Sequence, residues 1–368
     1  MIINTKNDFM SRITEKESCL PELVSVMNTS GLPLLFYGAG KYAELLYKTL
    51  KKYDLNISDV VVTHLKGDQS DFMGHKVKSI SSVLDMFDRC NIFFAFQNST
   101  ANEIDQVERS LLASGKVADI FFYDAVHSNY YSEINLQYDF VRTHHKELEE
   151  TYYKLADDLS RDIMISYLNQ RISGDIRYLK PMYTADQYFP DIIKLKSYEI
   201  YIDCGAYNGD SIEAFVSHMG KKEYKIIAFE PDIANFTKLL EHRYKNLIAI
   251  QKGCFSEQTV LKFSATNDTG SLFTDSGNYE VEVDTIDNVL CGEEATYIKM
   301  DIEGAELEAI NGAERTIEKY RPKLAISVYH KKEDLFSIPK RILEIKPDYK
   351  LYLRQHLQYS NDLVLYAI

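Results

Sequence analysis

Tryptophan is absent from this chain, and so are a cysteine framework, a surplus of basic charge and a long apolar run. The missing tryptophan carries no message about function, since 27 tyrosines and 18 phenylalanines supply the aromatic bulk. The five cysteines (Cys19, Cys90, Cys204, Cys254 and Cys291) are odd in number and widely spaced, with no Cys-x-x-Cys pair. That excludes a disulfide framework and a zinc ribbon, and fits a reducing cytoplasm. With 42 Lys and Arg against 55 Asp and Glu the net charge is −13, which argues against a nucleic-acid partner and its need for a clustered basic face. No stretch approaches the roughly 20 apolar residues of a membrane span, and the N-terminus has no signal-like apolar core. A soluble, cytoplasmic protein is expected.

What is present is ordinary globular composition, 45% hydrophobic and 26% charged over 368 residues, enough for two domains. Leu32–Tyr37 reads as a buried parallel strand running into Gly38-Ala39-Gly40-Lys41-Tyr42-Ala43, then a helix with Leu45, Leu46 and Leu50 on one face. This G-x-G-x-x-A turn has the form of a dinucleotide site. Further strands are expected at 57–63, 91–96 and 118–123, with helices near 15–30, 80–88 and 102–114, giving a small parallel α/β domain over residues 1–128. Its second strand ends Val61-Val62-Thr63-His64, without the carboxylate that would hold a ribose. The domain resembles the Rossmann-like N-terminal modules of bacterial sugar-modifying and surface-polysaccharide enzymes. Two readings stay open for it: a nucleotide-sugar or NAD site tested first at Lys41 and Tyr42, or a structural and partner-docking role.

Residues 129–185 are expected to form a helical connector, with Leu148, Tyr152, Leu155, Leu159, Ile163 and Tyr167 recurring on one face. His144-His145 has no third or fourth ligand near it in sequence, so no metal is expected there. Over 186–368 the alternation is cleaner. Strands are expected at 199–203, 225–230, 247–252, 295–300 and 324–329, and helices at 211–219, 233–242, 304–319 and 334–345. A closing hairpin of 349–354 and 363–368 follows. That is the layout of the class I methyltransferase sheet, Rossmann-like and mostly parallel, with seven strands and an antiparallel strand near its end. Residues 259–265 and 279–285 suggest an inserted hairpin around Asn267-Asp268-Thr269-Gly270-Ser271.

Four features fall at the carboxyl ends of these strands, where open α/β sheets bind ligands. Asp203-x-Gly205-Ala206-x-x-Gly209 is a tight turn opening a helix at Asp210 and Ser211. Glu230, followed by Pro231 and Asp232, ends the second strand, where an ionised carboxylate can accept both hydroxyls of a ribose. Lys299-Met-Asp301-Ile-Glu303-Gly304-Ala-Glu306 follows the fourth strand, and Ser327-Val-Tyr329-His330 ends the fifth. An acid in the glycine turn suits a pyrophosphate badly and a cationic, phosphate-free ligand well. S-adenosyl-L-methionine, with its ammonium, sulfonium and ribose, is such a ligand.

The run Gln187–Ile193, the Asp203 turn, Phe-Glu230-Pro-Asp, Lys-Met-Asp301-Ile-Glu-Gly-Ala-Glu and the closing Asn361–Ala367 together resemble the FkbM family of S-adenosylmethionine-dependent methyltransferases. The resemblance covers about residues 185–368. It implies O-methylation, often of a sugar or polyketide hydroxyl, and cofactor contacts at Asp203, Gly205, Gly209, Asp210 and Glu230. It places Gly253 and Cys254 near the adenine, where related enzymes often carry an acid. Asp301 is expected as base or acceptor-positioner, His330 as a second proton acceptor, and Glu303 in catalysis or as a helix cap. Lys299 is expected in the strand, paired to one of these acids. A divalent cation at Asp301, Glu303 and His330 would rest on a single histidine without a compact motif, and no metal is expected. Expected partners are a small-molecule or glycan hydroxyl acceptor, with oligomeric state open between monomer and homo-oligomer. Rival classes are an NAD-dependent sugar-modifying protein led by the N-terminal turn, and a non-catalytic cofactor-binding scaffold.

Overall fold

The computed structural model describes residues 8–65, 71–95, 101–125, 136–264, 272–273, 279–359 and 361–368. The chain divides into two compact units. One comprises Met1–His144, Ile165–Tyr183 and Leu357–Ser360; the other comprises His145–Met164, Thr184–His356 and Asn361–Ile368. The segment expected as a connector is thus shared between them. Within it, one helix ends at Lys154 and the next starts at Asp158. Leu155 and Ala156 leave the helix to bridge to Leu351, so the expected apolar stripe is broken and Leu159 is exposed.

The first unit is built on a six-stranded sheet of β1 (Leu34–Tyr37), β2 (Asp59–Val62), β3 (Asp71–Phe72), β4 (His75–Ser79), β5 (Cys90–Phe94) and β6 (Val117–Phe121), in the order β3-β4-β2-β1-β5-β6. All neighbours are parallel except β3 with β4. Strand β1 is apolar throughout because both its faces are covered. Leu34 and Phe36 pack with Leu46 and Leu50, while Leu35 and Tyr37 pack with Ile104 and Leu111. Strand β4 lies where no strand is expected, since His75-Lys-Val-Lys-Ser79 buries Val77 alone. The last residue of the expected third strand, Phe96, lies outside the described residues.

The second unit carries a seven-stranded sheet of β7 (Tyr198–Cys204), β8 (Glu223–Phe229), β9 (Leu247–Ile250), β14 (Tyr297–Met300), β15 (Lys323–Ser327), β16 (Leu351–Gln355) and β17 (Leu363–Ala367). Its order is β16-β17-β15-β14-β7-β8-β9, with β17 antiparallel to both of its neighbours. This is the class I methyltransferase arrangement expected from the strand pattern. Tyrosines do much of the packing: Tyr201 stacks on Phe215 at 4.4 Å and meets Tyr297 at 5.3 Å, both tyrosines being fully buried. Between β9 and β14 a second sheet is inserted, formed by β10 (Gly253–Cys254), β11 (Thr259–Ser264), β12 (Leu272–Phe273) and β13 (Tyr279–Asp284) in the order β10-β13-β11-β12. The expected hairpin is therefore part of a four-stranded sheet, and its turn at 267–271 lies outside the described residues.

The helix expected over 304–319 is two helices, Glu306–Asn311 and Glu314–Tyr320. The cause is tertiary. Asp287 accepts from the backbone N–H groups of Arg315 and Thr316 at 2.9 and 2.8 Å and starts the second helix anew. Among the described residues, no helix is long and apolar enough to cross a membrane.

Candidate active site

The turn after β7 is shaped by close backbone approach. Gly205 has φ +79°, and a Cβ there would stand 2.0 Å from the Asp301 carbonyl oxygen. The N–H groups of Gly205 and Ala206 both donate to the Phe229 carbonyl at 3.0 Å, which locks the turn against the end of β8. Gly209, at φ +95°, caps the helix Asp210–Met219. A carboxylate joins the two loops: Glu230 accepts from the Tyr207 N–H at 2.8 Å and from the Asp232 N–H at 2.9 Å. Glu230 is 5% exposed, and burial pushes its carboxyl up to about 7 against those backbone donors. Pro231 links it to Asp232, which caps the helix Ile233–Glu241.

Asp203 has no exposed surface. Its carboxylate pairs with Lys299 at 3.0 Å and accepts from the Ser211 hydroxyl at 2.5 Å. The Lys299 ammonium also donates to the Gly205 carbonyl at 2.7 Å. Burial raises the Asp203 carboxyl despite Lys299; burial alone would lower Lys299, but Asp203 and Asp301 hold it above the ordinary lysine value. The acid of the turn therefore already has a resident cation, which tethers the turn from β14. Asp210 sits in the exposed first turn of the helix and accepts from the Ser211 N–H at 2.7 Å. Gly253 and Cys254 are buried in β10, and the Cys254 thiol meets that of Cys204, with burial raising it far above the usual thiol range.

A second cluster forms after β14 and β15. Asp301 accepts from the Tyr188 hydroxyl at 2.7 Å and faces the Tyr329 hydroxyl at 3.4 Å. The His330 ring directs Nδ1 to Glu306 at 2.8 Å, while Nε2 lies 3.4 Å from Asp301 and 3.5 Å from Glu303. Burial alone would lower His330, yet Glu306, Glu303 and Asp301 together lift it to about 10. It is an imidazolium at neutral pH, a donor rather than the proton acceptor expected from its type. Burial alone would raise Asp301, but His330, Lys299 and the Tyr188 hydroxyl outweigh it and hold the carboxyl below the ordinary aspartate value. Glu303, at φ +55°, is pushed up to about 7 by burial, with Asp301 and Glu306 adding to the push. Asp362, hydrogen-bonded by Gln187 and Tyr329, is likewise lifted to about 7 by burial and by Asp301.

The structure thus brings Asp203, Gly205, Ala206 and Glu230 around one turn, and Asp301, Glu303 and His330 into one cluster. Tyr188, Tyr207 and Asp362 join these groups from outside the expected site residues, and Glu306 gains a role as the partner of His330. Tyr188 and Asp362 lie in the family-like stretches Gln187–Ile193 and Asn361–Ala367, which was the one available signal. In the first unit, Gly40 caps the helix Lys41–Leu50. The Tyr42 hydroxyl, one of the two first residues to test for a ligand there, donates to the Tyr123 carbonyl and accepts from the Ala125 N–H, each at 3.2 Å.

Residues 203–356 match the family model described as the Methyltransferase FkbM domain. The crystal structure of a methyltransferase FkbM from Methylobacillus flagellatus KT is similar over 98% of this chain and 98% of its own, at 20% identity and a TM-score of 0.69. An Aeropyrum pernix fibrillarin, solved with natively bound S-adenosyl-L-methionine, is similar over 50% of this chain and 73% of its own, at 9% identity and a TM-score of 0.34. A Methanococcus jannaschii fibrillarin covers 47% and 66%, at 14% identity and a TM-score of 0.30. No curated protein matches the chain. The stretch that matches the FkbM methyltransferase domain, residues 203–356, is also the one that holds the glycine turn, Glu230 and the Asp301 cluster.

Proposed function

We propose that the chain is an S-adenosylmethionine-dependent O-methyltransferase acting on a hydroxyl of a sugar or surface-glycan precursor. The observation that carries this reading is Glu230. It is a nearly buried carboxylate at the end of β8, using one lone pair of each oxygen on the Tyr207 and Asp232 N–H groups and keeping the others for a ribose diol. The donor set around it fits the cofactor. With Lys299 committed to Asp203 and the Gly205 carbonyl, the turn leaves backbone groups and the carboxylates of Asp210 and Glu230, which suits a cationic, phosphate-free ligand. When bound, S-adenosylmethionine supplies an activated methyl group on a sulfonium centre.

The chain's own residues then divide the work. Gly205, Ala206, Gly209 and Glu230 hold the cofactor, with Asp210 at the open end of the turn and Gly253 and Cys254 toward the adenine. Asp203 supports that turn from beneath through Lys299 and Ser211. Asp301, kept ionised by Lys299 and His330, receives the acceptor hydroxyl and orients it for in-line attack, where positioning supplies most of the rate. Glu303 and His330 complete the acceptor end. The sugar or glycan class of acceptor is proposed from the family resemblance and the N-terminal module. Asp301→Asn is expected to lower turnover at least 100-fold toward a hydroxyl acceptor while leaving S-adenosylmethionine affinity within about threefold. Single-turnover methyl transfer and calorimetry on the same variant test it, and an unchanged rate or an abolished cofactor affinity would move Asp301 out of this role.

A further inference from the structure

The cluster beyond β14 and β15 holds more negative charge than its surroundings answer. Asp301, Glu303, Glu306, Asp334 and Asp362 act on one another and on His330 across it. Their neighbouring cations are His330 itself, Lys299 behind Asp301, and Lys331 beside Asp334. Carboxylates drawn together need a partner charge, the more so where they are buried, as Glu306 and Asp334 are.

The geometry of His330 says what kind. Its side chain is 7% exposed, and Nδ1 is fixed by Glu306 at 2.8 Å. Glu306 is itself fully buried and held by the Ile302 N–H at 2.8 Å. A carboxylate on Nδ1 fixes the ring and its tautomer and presents Nε2 as a ligand atom, an arrangement that recurs in metal sites. Nε2 is buried and has no hydrogen-bond partner among the described residues. It points between Asp301 at 3.4 Å and Glu303 at 3.5 Å, too far for a good hydrogen bond to either. Ligand atoms bonded at about 2.1 Å to a tetrahedral cation stand about 3.4 Å apart, and Nε2 stands at close to that spacing from Asp301 and from Glu303. Asp301, Glu306 and His330 also place one ligand atom each within 4.8 Å of the others. Glu306 stands on the Nδ1 side of the ring and Glu303 on the Nε2 side, which makes Glu303 the third ligand of a cation bound at Nε2.

We infer that His330 Nε2, Asp301 and Glu303 form a binding site for a divalent first-row cation, oriented by Glu306 through Nδ1. One imidazole with two carboxylates suits Mn2+ or Zn2+ better than Ca2+. Three protein ligands leave an open position. If the methyl-transfer reading holds, on which this second step rests, that position receives the acceptor oxygen and the cation lowers the pKa of its hydroxyl. The cation would take the place of the Nε2 proton, so that His330 ligates as a neutral imidazole with its Nδ1 proton on Glu306.

The test uses the full chain, dialysed against EDTA and then against metal-free buffer, and titrated with Mn2+ alone while the free ion is followed by electron paramagnetic resonance. The expected result is one Mn2+ per chain, displaced by Zn2+. His330→Gln and Glu303→Gln should each weaken binding at least tenfold. Glu303 is partly exposed on a loop, so its variant keeps the fold, checked by an unchanged melting temperature, if His330→Gln does not. Absence of stoichiometric Mn2+ binding, or binding unchanged in Glu303→Gln, overturns the inference. S-adenosylmethionine calorimetry on the same preparation separates the two claims. Cofactor binding without Mn2+ binding removes the cation and leaves the methyltransferase, whereas the reverse leaves the cation site and removes the reading of function.

Discussion

Asp203 and Lys299 are 0% and 2% exposed and 3.0 Å apart, so neither charge has water to fall back on. Removing one partner of such a pair strands the other, at a cost of about 3–5 kcal/mol. Asp203→Ala is therefore expected to lower unfolding stability in urea by about that much; a loss under about 1 kcal/mol would show that Lys299 finds other partners. This also bears on what the sequence could say. The spacing Asp203-x-Gly205 is legible as a ligand turn, because its members are neighbours in the chain. That Lys299, nearly a hundred residues on, already satisfies the acid is not legible, because parallel pairing of β7 with β14 decides it. The same holds for His330. Its residue type suggests a base near neutrality, and only the three carboxylates folded around it turn it into an imidazolium.

At the scale of elements, the glycine turn makes a graded prediction. Both Gly205 and Gly209 have positive φ, so alanine is strained at either. The obstacles differ. At Gly205 a Cβ would meet the backbone carbonyl of Asp301 at 2.0 Å; at Gly209 it would meet Leu239 and Tyr244 side chains at 3.2 and 3.3 Å, which can shift. Gly205→Ala should therefore lower the melting temperature well beyond Gly209→Ala, and equal losses would show that φ strain alone governs the turn. Strands with continuous apolar character, such as β1 and β17, were readable from sequence. Elements made by distant partners were not: β4 buries one valine, and the break before Glu314 is written in Asp287, on another helix.

For the molecule as a whole, pH reports on a buried group away from the proposed chemistry. His356 is 5% exposed, with Nδ1 on the Thr184 carbonyl at 2.7 Å and Nε2 on the Tyr366 hydroxyl at 2.9 Å. Burial, and then Arg354, lower it from 6.5 to about 4, against the Thr184 carbonyl. Between those values the unfolded chain binds more protons than the folded one, so stability is full above pH 6.5 and falls as pH drops toward 4. The loss is on the order of 2–3 kcal/mol, and His356→Gln, which can still donate and accept, should flatten it in melts taken from pH 7 to 4. A slope unchanged in that variant would assign the acid sensitivity elsewhere. The division of the chain was only partly legible at this scale, because Ile165–Tyr183 and Leu357–Ser360 join the first unit from far along the sequence. The central claim concerns the second unit, and calorimetric titration of the purified chain with S-adenosylmethionine tests it most directly. The account predicts one binding site per chain, weakened at least tenfold in Glu230→Ala; no binding heat in the wild type, or wild-type affinity in the variant, would contradict it.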